Sequence, residues 1–204
     1  LQQSTAAKSA VSVLDEENGT EVETEYQMNL KYGSITVYIG ADDKQYVQQG
    51  NNEAQQRGNL SITTDGSQTH NTITIKGGTT AAKVTLSNVN IDAPGAAVSV
   101  SGNVELVIAD TNTLQSGWGH AGVEKADDNG TLTISGSGEL NAYGGYWGAG
   151  IGSGSEKGCS NIVIESGTIT AKGGDLGAGI GGGQSAAGQN ITIRDGNVTA
   201  IPGR

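Results

Sequence analysis

Short runs in which aliphatic or β-branched residues alternate with polar ones recur along most of the chain. They include "SITVYIG" at 34-40, "NLSITT" at 59-64, "NTITIK" at 71-76, "KVTLSNVNI" at 83-91 and "NVELVIA" at 103-109. A period of two over three to five residues predicts strands buried on one side. In the second half, no 3-4 spacing runs long enough for a helix to compete.

From Leu132 the runs fall into a repeat. "LTISGSGELNAYGGYWGAGIGSGSEKGCSN" covers 132-161, "IVIESGTITAKGGDLGAGIGGGQSAAGQN" covers 162-190, and "ITIRDGNVTAIPGR" opens a third copy at 191. Each copy carries three strand-like patches separated by three turns, which is one coil of a parallel β-solenoid. A degenerate copy precedes them: "WGHAGV" at 118-123 matches "WGAGI" at 147-151 and "LGAGI" at 176-180. That match aligns Trp118 with Trp147 and Leu176 and requires one inserted residue at His120.

The expected fold is all-β, a right-handed parallel β-helix with three short strands per coil and roughly six or seven coils. At about 4.8 Å per rung the rod is roughly 30 Å long. Residues 1-33 are expected to form a cap or linker over the first coil, because an open sheet edge would pair with another molecule. Residues 34-204 form the solenoid, regular over 132-204 and degenerate over 34-131.

Composition explains how such a coil fills. The chain of 204 residues has no Phe, two Trp, six Tyr and 34 Gly. Stacked Ile, Val, Leu and Ala suit a narrow core, and Gly suits corners where a side chain would clash or φ is positive. Asn59, Asn161 and Asn190 each precede a strand triplet, where stacked amides would bond along the rod. "GAGIGSGSEKG" has a phosphate-loop-like spacing, but no Lys-Ser or Lys-Thr follows and no helix opens after it.

The formal charge of -10 makes nucleic acid a poor partner. The run "DEENGTEVETE" at 15-25 reads as a solvated edge. Cys159 is single, which excludes an intrachain disulfide and a thiolate metal site. No apolar run approaches the roughly 18 residues of a membrane span. The abrupt stop at "IPGR" reads as the border of a segment excised from a longer protein.

The stretch "GTITAKGGDLGAGIGGG" with "ITIRDGNVTA" resembles the Gly-rich β-solenoid repeats of large secreted and cell-surface proteins of Firmicutes, especially gut and cellulolytic clostridia. It is also similar to a bacterial carbohydrate-binding domain with a parallel β-helix fold, some members of which bind acidic plant polysaccharide and calcium. The resemblance covers about 94-204. It implies a secreted or cell-surface module of a larger multidomain protein, with a host protein or a polysaccharide as partner. It supplies no catalytic motif.

Candidate chemistry is spread thinly. Asp42-Asp43 and Asp127-Asp128 lie in expected loops, where paired hard oxygens suit Ca²⁺. Glu139, Glu165, Asp175 and Asp195 are the carboxylates that a glycan hydrolase would draw on, and a lyase would further need scarce basic residues. His70 and His120 have no ligand-spaced partner. The aromatic set is the strongest signal: Trp118, His120, Tyr143, Tyr146 and Trp147 converge on one corner of successive coils. Trp and Tyr anchor protein interfaces and also stack on sugar rings.

The sequence reading is therefore a non-catalytic binding or adhesion module that recognises a host glycoprotein or immunoglobulin. The alternatives are calcium-assisted binding of an acidic polysaccharide, an enzyme acting on such glycans, and a structural spacer.

Overall fold

A computed structural model describes residues 25-125 and 129-204. The chain winds as a parallel β-solenoid with three sheets running along its axis. The first sheet stacks seven strands: Tyr26–Asn29, Leu60–Thr63, Ala82–Ser87, Val104–Ala109, Leu132–Gly136, Cys159–Ile164 and Gly188–Ile193. The second holds Asn90–Asp92, Thr111–Gln115, Glu139–Tyr143, Thr168–Lys172 and Asn197–Ile201. The third holds Ile35–Ile39, Ile73–Lys76, Val98–Ser101, Val123–Lys125, Ile151–Gly152 and Ile180–Gly181, extended by Gln45–Gln49 and Gln55–Gln56.

The expected six or seven coils thus resolve into seven rungs on the first sheet. Four of them, beginning at Ala82, Val104, Leu132 and Cys159, carry strands on all three faces. The regular and degenerate portions form one continuous stack.

The period-two pattern decides which side chains fill the interior. Along the first sheet Leu60, Val84, Leu106, Ile134 and Ile164 stack in register and are buried. Ile35, Ile73, Val98, Val123 and Ile151 do the same on the third sheet. On the second sheet the column narrows from Ile91 and Leu114 to Ala142 and Ala171. Each buried aliphatic of this size contributes about 1.5–3 kcal/mol, so a core without Phe is still a strong one.

The N-terminal boundary differs from the expected one at 33. Tyr26–Asn29 already pairs in parallel with Leu60–Thr63, and Met28 and Leu30 are buried in the core. The solenoid therefore begins inside the stretch expected to cap it. Residues 1-24, the rest of that stretch, lie outside the described residues. Covering of the third sheet falls instead to the hairpin after Ile39: Gln45–Gln49 runs antiparallel to Ile35–Ile39, and Gln55–Gln56 pairs antiparallel with it in turn. Gln45 and Gln49 are buried and spend their amides on backbone carbonyls, those of Arg57, Gly58 and Lys83 for Gln45 and of Asn29 and Gly33 for Gln49.

The asparagine ladder forms over part of its expected length. Asn190 Nδ2 donates to Asn161 Oδ1 at 3.1 Å, and both residues are left-handed. Asn59 stands off that column, because Leu60 pairs with Val84 whereas Ala82 pairs with Val104. Asn103 occupies the column, accepting from the Thr131 N–H and donating to the Gly78 carbonyl.

Candidate functional site: an aromatic ridge on one corner

The corner between the second and third sheets is built on glycines because successive backbones touch there. A Cβ on Gly145 would lie 1.8 Å from the Gly117 carbonyl oxygen, one on Gly174 2.0 Å from that of Gly145, and one on Gly203 1.8 Å from that of Gly174. No side chain fits such a gap, so these positions fix the register. The same crowding stacks Gly148 on His120 and Gly177 on Gly148.

That register corrects the sequence alignment by one residue. Between the Gly117 and His120 anchors, Trp118 shares its slot with Tyr146, Asp175 and Arg204, while Gly119 shares its slot with Trp147 and Leu176. Hydrogen bonds agree: Gly119 N–H donates to the Tyr146 carbonyl, Trp147 N–H to that of Asp175, and Leu176 N–H to that of Arg204. No residue is inserted at His120, since Gln115 pairs with Tyr143 and Val123 with Ile151 at one constant offset.

The rings nevertheless meet. Trp118 and Trp147 have centroids 4.7 Å apart at 41°, and Tyr146 and Trp147 5.2 Å apart at 45°. Trp118 is 64% exposed and Tyr146 47%. Leu176, one rung further along, is 56% exposed. Together these side chains form an apolar ridge on a convex edge. Tyr143 stands apart, on the outer side of the second sheet between Gln115 and Lys172.

The backbone beneath the ridge is strained. Gly119, Trp147 and Leu176 have φ of +78°, +73° and +62°. Glycine adopts this conformation freely, whereas another residue pays roughly 1–2 kcal/mol. Trp147 and Leu176 thus occupy a slot for which Gly119 is the low-energy choice.

Behind the ridge lies a histidine–carboxylate pair. His120 Nδ1 sits 2.9 Å from Glu124 Oε2, and the same oxygen accepts the Ala121 N–H at 3.1 Å. Glu124 is buried, while its partner His120 is partly exposed. The sequence reading included His120 for its place beside Trp118 and missed Glu124. The available signal was a carboxylate in a slot that holds Gly152 and Gly181 in the next rungs.

The other sequence candidates are dispersed. Asp42 accepts the Tyr46 hydroxyl at 2.9 Å and the Lys44 N–H at 3.3 Å, and the Tyr46 bond holds its carboxyl below the usual range while pushing the Tyr46 phenol up. Asp43 takes a left-handed turn position. Asp127 and Asp128 lie outside the described residues. Among the described residues no three His, Cys, Asp or Glu side chains are grouped to hold a metal ion. Glu139 accepts from Asn141, Glu165 pairs with Arg194, and Asp195 turns back on the Gly196 N–H. His70 lies against the Asp92 carbonyl. No helix among the described residues is long and apolar enough to cross a membrane.

A family model described as a β-helix repeat matches residues 132–155 and 162–184, the two rungs that carry Trp147 and Leu176. No curated protein and no solved structure gives a match.

Proposed function

We propose that this β-helix repeat protein is a non-catalytic recognition and adhesion module, and that the ridge of Trp118, Tyr146, Trp147 and Leu176 is its contact with a partner protein displayed or secreted outside the cell. One observation carries the reading: a Trp and a Leu are kept in left-handed slots where glycine costs nothing. Burial does not explain Leu176, which is largely exposed, and Trp147 is only part-buried, against the more exposed rings of Trp118 and Tyr146. Large aromatics that become desolvated on contact are the usual anchors of protein interfaces.

The shape favours a protein groove over a sugar chain. Rings tilted by 41° and 45° make a ridge rather than a flat stacking platform, and Leu176 continues it with an aliphatic group. The glycan reading has one supporting feature, the outward column Asn90, Thr113, Asn141, Thr170 and Thr199 on the neighbouring sheet, which offers amides and hydroxyls in register.

Replacing Trp147 by Gly separates function from folding. Removal of the left-handed penalty offsets the lost ring contacts of about 0.5–1.5 kcal/mol, so the melting temperature is expected to stay within a few degrees. Binding to a panel of secreted host proteins, immunoglobulins and glycoproteins included, is expected to disappear in Trp147→Gly and to be indifferent to EDTA in the parent. Retained binding in the variant overturns the reading. Binding abolished by EDTA or by free sugar transfers it to a glycan partner.

A further inference from the structure

The three ridge rungs close their corner in two different ways. In the two later rungs closure is by backbone alone: the Ala149 N–H donates to the Ser153 carbonyl at 3.1 Å, and the Ala178 N–H to the Gly182 carbonyl at 3.0 Å. Gly152 and Gly181, with φ of +140° and +137°, allow the chain to curl back and bring those carbonyls into place. In the Trp118 rung the same slot is Glu124, which has no left-handed φ, and the equivalent Ala121 N–H bonds to the Glu124 carboxylate instead. A titratable side chain does there what a carbonyl does in its neighbours.

The carboxylate also fixes what stands above it. Glu124 Oε2 takes the Ala121 N–H and His120 Nδ1 together, so it holds the two residues that immediately follow the Trp118-Gly119 turn. It sits under a tight lid, since a Cβ on Gly154 would approach it to 3.0 Å. The Gly119 carbonyl in turn accepts the Ser155 N–H at 2.9 Å.

We infer that the His120–Glu124 pair is a charge-controlled latch that sets the pose of Trp118, the outermost ring of the ridge. Glu124 is a positioning residue: it acts through His120 and Ala121, not by touching a partner. Ionised Glu124 accepts on one oxygen with charge-assisted strength, whereas a protonated acid keeps only a neutral carbonyl acceptor, so the latch loosens when the carboxylate takes a proton. The Trp147 and Leu176 rungs contain no such group and keep their pose across the same pH range.

Among the described residues, the other charges near the pair lie on its own strand and on the adjoining rungs. Lys125 on the same strand points into the core, where its amine reaches the Asn129 carbonyl. The turn after Ile151–Gly152 carries Glu156 and Lys157, both near the surface, and the adjoining rungs of the corner contribute Tyr146 and Asp175. The inference rests on the ridge reading for its biological meaning, but the latch itself is measurable without a partner.

The chain has two tryptophans, so Trp147→Phe leaves Trp118 as the single reporter. Its emission and acrylamide quenching, followed from pH 8 to pH 4 in the full chain, are expected to show a transition that is lost in Trp147→Phe with Glu124→Gln. Trp118→Phe, which reports on Trp147, is expected to show no matching transition. His120→Ala keeps the Ala121 bond and serves where Glu124→Gln fails to fold; it is expected to leave Trp118 more quenchable at neutral pH. Superimposable Trp118 curves with and without the Glu124 or His120 change overturn the latch. A latch that behaves as expected in a chain that binds no host protein removes the ridge reading and leaves the latch standing.

Discussion

The regular rungs from Leu132 onward and the irregular ones before them turn the same corner, between the first and second sheets, by different chemistry. The regular rungs use Gly136, Gly167 and Gly196 at φ of +117°, +110° and +102°. The irregular rungs put Asn88 and Asp110 into left-handed positions at +54° and +52° and brace them with side chains. Ser87 Oγ and Asn88 Nδ2 donate to Asp110, and Thr64 Oγ1 donates to the Asn88 carbonyl. Inside the same corner Asn112 occupies the slot of Leu140, fully buried. It accepts the Val89 N–H and donates to the carbonyls of Ala109 and Glu139.

One half therefore closes through absence of side chains and the other through polar side chains standing in for backbone. Glycine corners tolerate close stacking but no substitution. Braced corners tolerate side chains but depend on each hydrogen bond.

The sharpest way to break this comparison is at a glycine. Gly136→Ala places a methyl 2.2 Å from the Ile108 carbonyl oxygen at a φ of +117° and is expected to lose about 3 kcal/mol or more. Thermal melting would show this as a fall of roughly 10 °C. Gly95→Ala, with nothing within 4 Å of its added Cβ, is the control and is expected to melt with the parent. Equal melting of both would mean that the stacking distance does not govern the corner.

A middle-sized effect tests the braced half. Asn112→Ala strands the Val89 N–H and two carbonyls and is expected to lose about 2 kcal/mol by urea denaturation. Asn112→Leu copies the regular half at Leu140 without its glycines. Full stability in that variant would show the brace to be dispensable and the two halves equivalent.

The smallest effect lies in the hairpin of the irregular half. Tyr46→Phe removes the bond that depresses Asp42, so the Asp42 carboxyl should titrate higher, toward its ordinary range, in an NMR pH titration. A depressed carboxyl contributes stability above its unfolded value, and that contribution fades as pH falls through the folded one. The parent therefore gains from this bond at neutral pH and loses the gain in acid. The variant should lack that acid-sensitive part, with a small amplitude because the pair is exposed. An unmoved Asp42 titration would place the cause of its depression elsewhere.

The repeat was legible because alternation and glycine spacing survive translation into strands and corners with little ambiguity. The register was not, and the reason is physical. Trp118 and Trp147 draw the eye as landmarks, yet alignment is set where backbones touch, at Gly117, Gly145 and Gly174. An exposed ring can shift by one slot and still meet its neighbour, as Trp118 and Trp147 do at 4.7 Å. The first rung was missed because Tyr26–Asn29 is short and follows an acidic run, leaving Met28 and Leu30 as its only apolar evidence. Buried Asn112 was invisible because alternation assigns polar residues to the outside, and Glu124 stood out only against Gly152 and Gly181 once the register was known. Only the fold reveals which of them replace a carbonyl or an amide.

The left-handed slot occupied by Gly119, Trp147 and Leu176 has a consequence for how such proteins diversify. It recurs in three successive turns and accepts the smallest residue, a large indole or a branched aliphatic without disturbing the columns of Ile and Val inside. Such a slot is a display position, like a character in a line of type, where the letter can change while the spacing stays fixed. Duplicating a coil adds a letter, and point mutation edits one. A lineage built on this repeat can therefore rewrite what its edge presents without having to solve folding again.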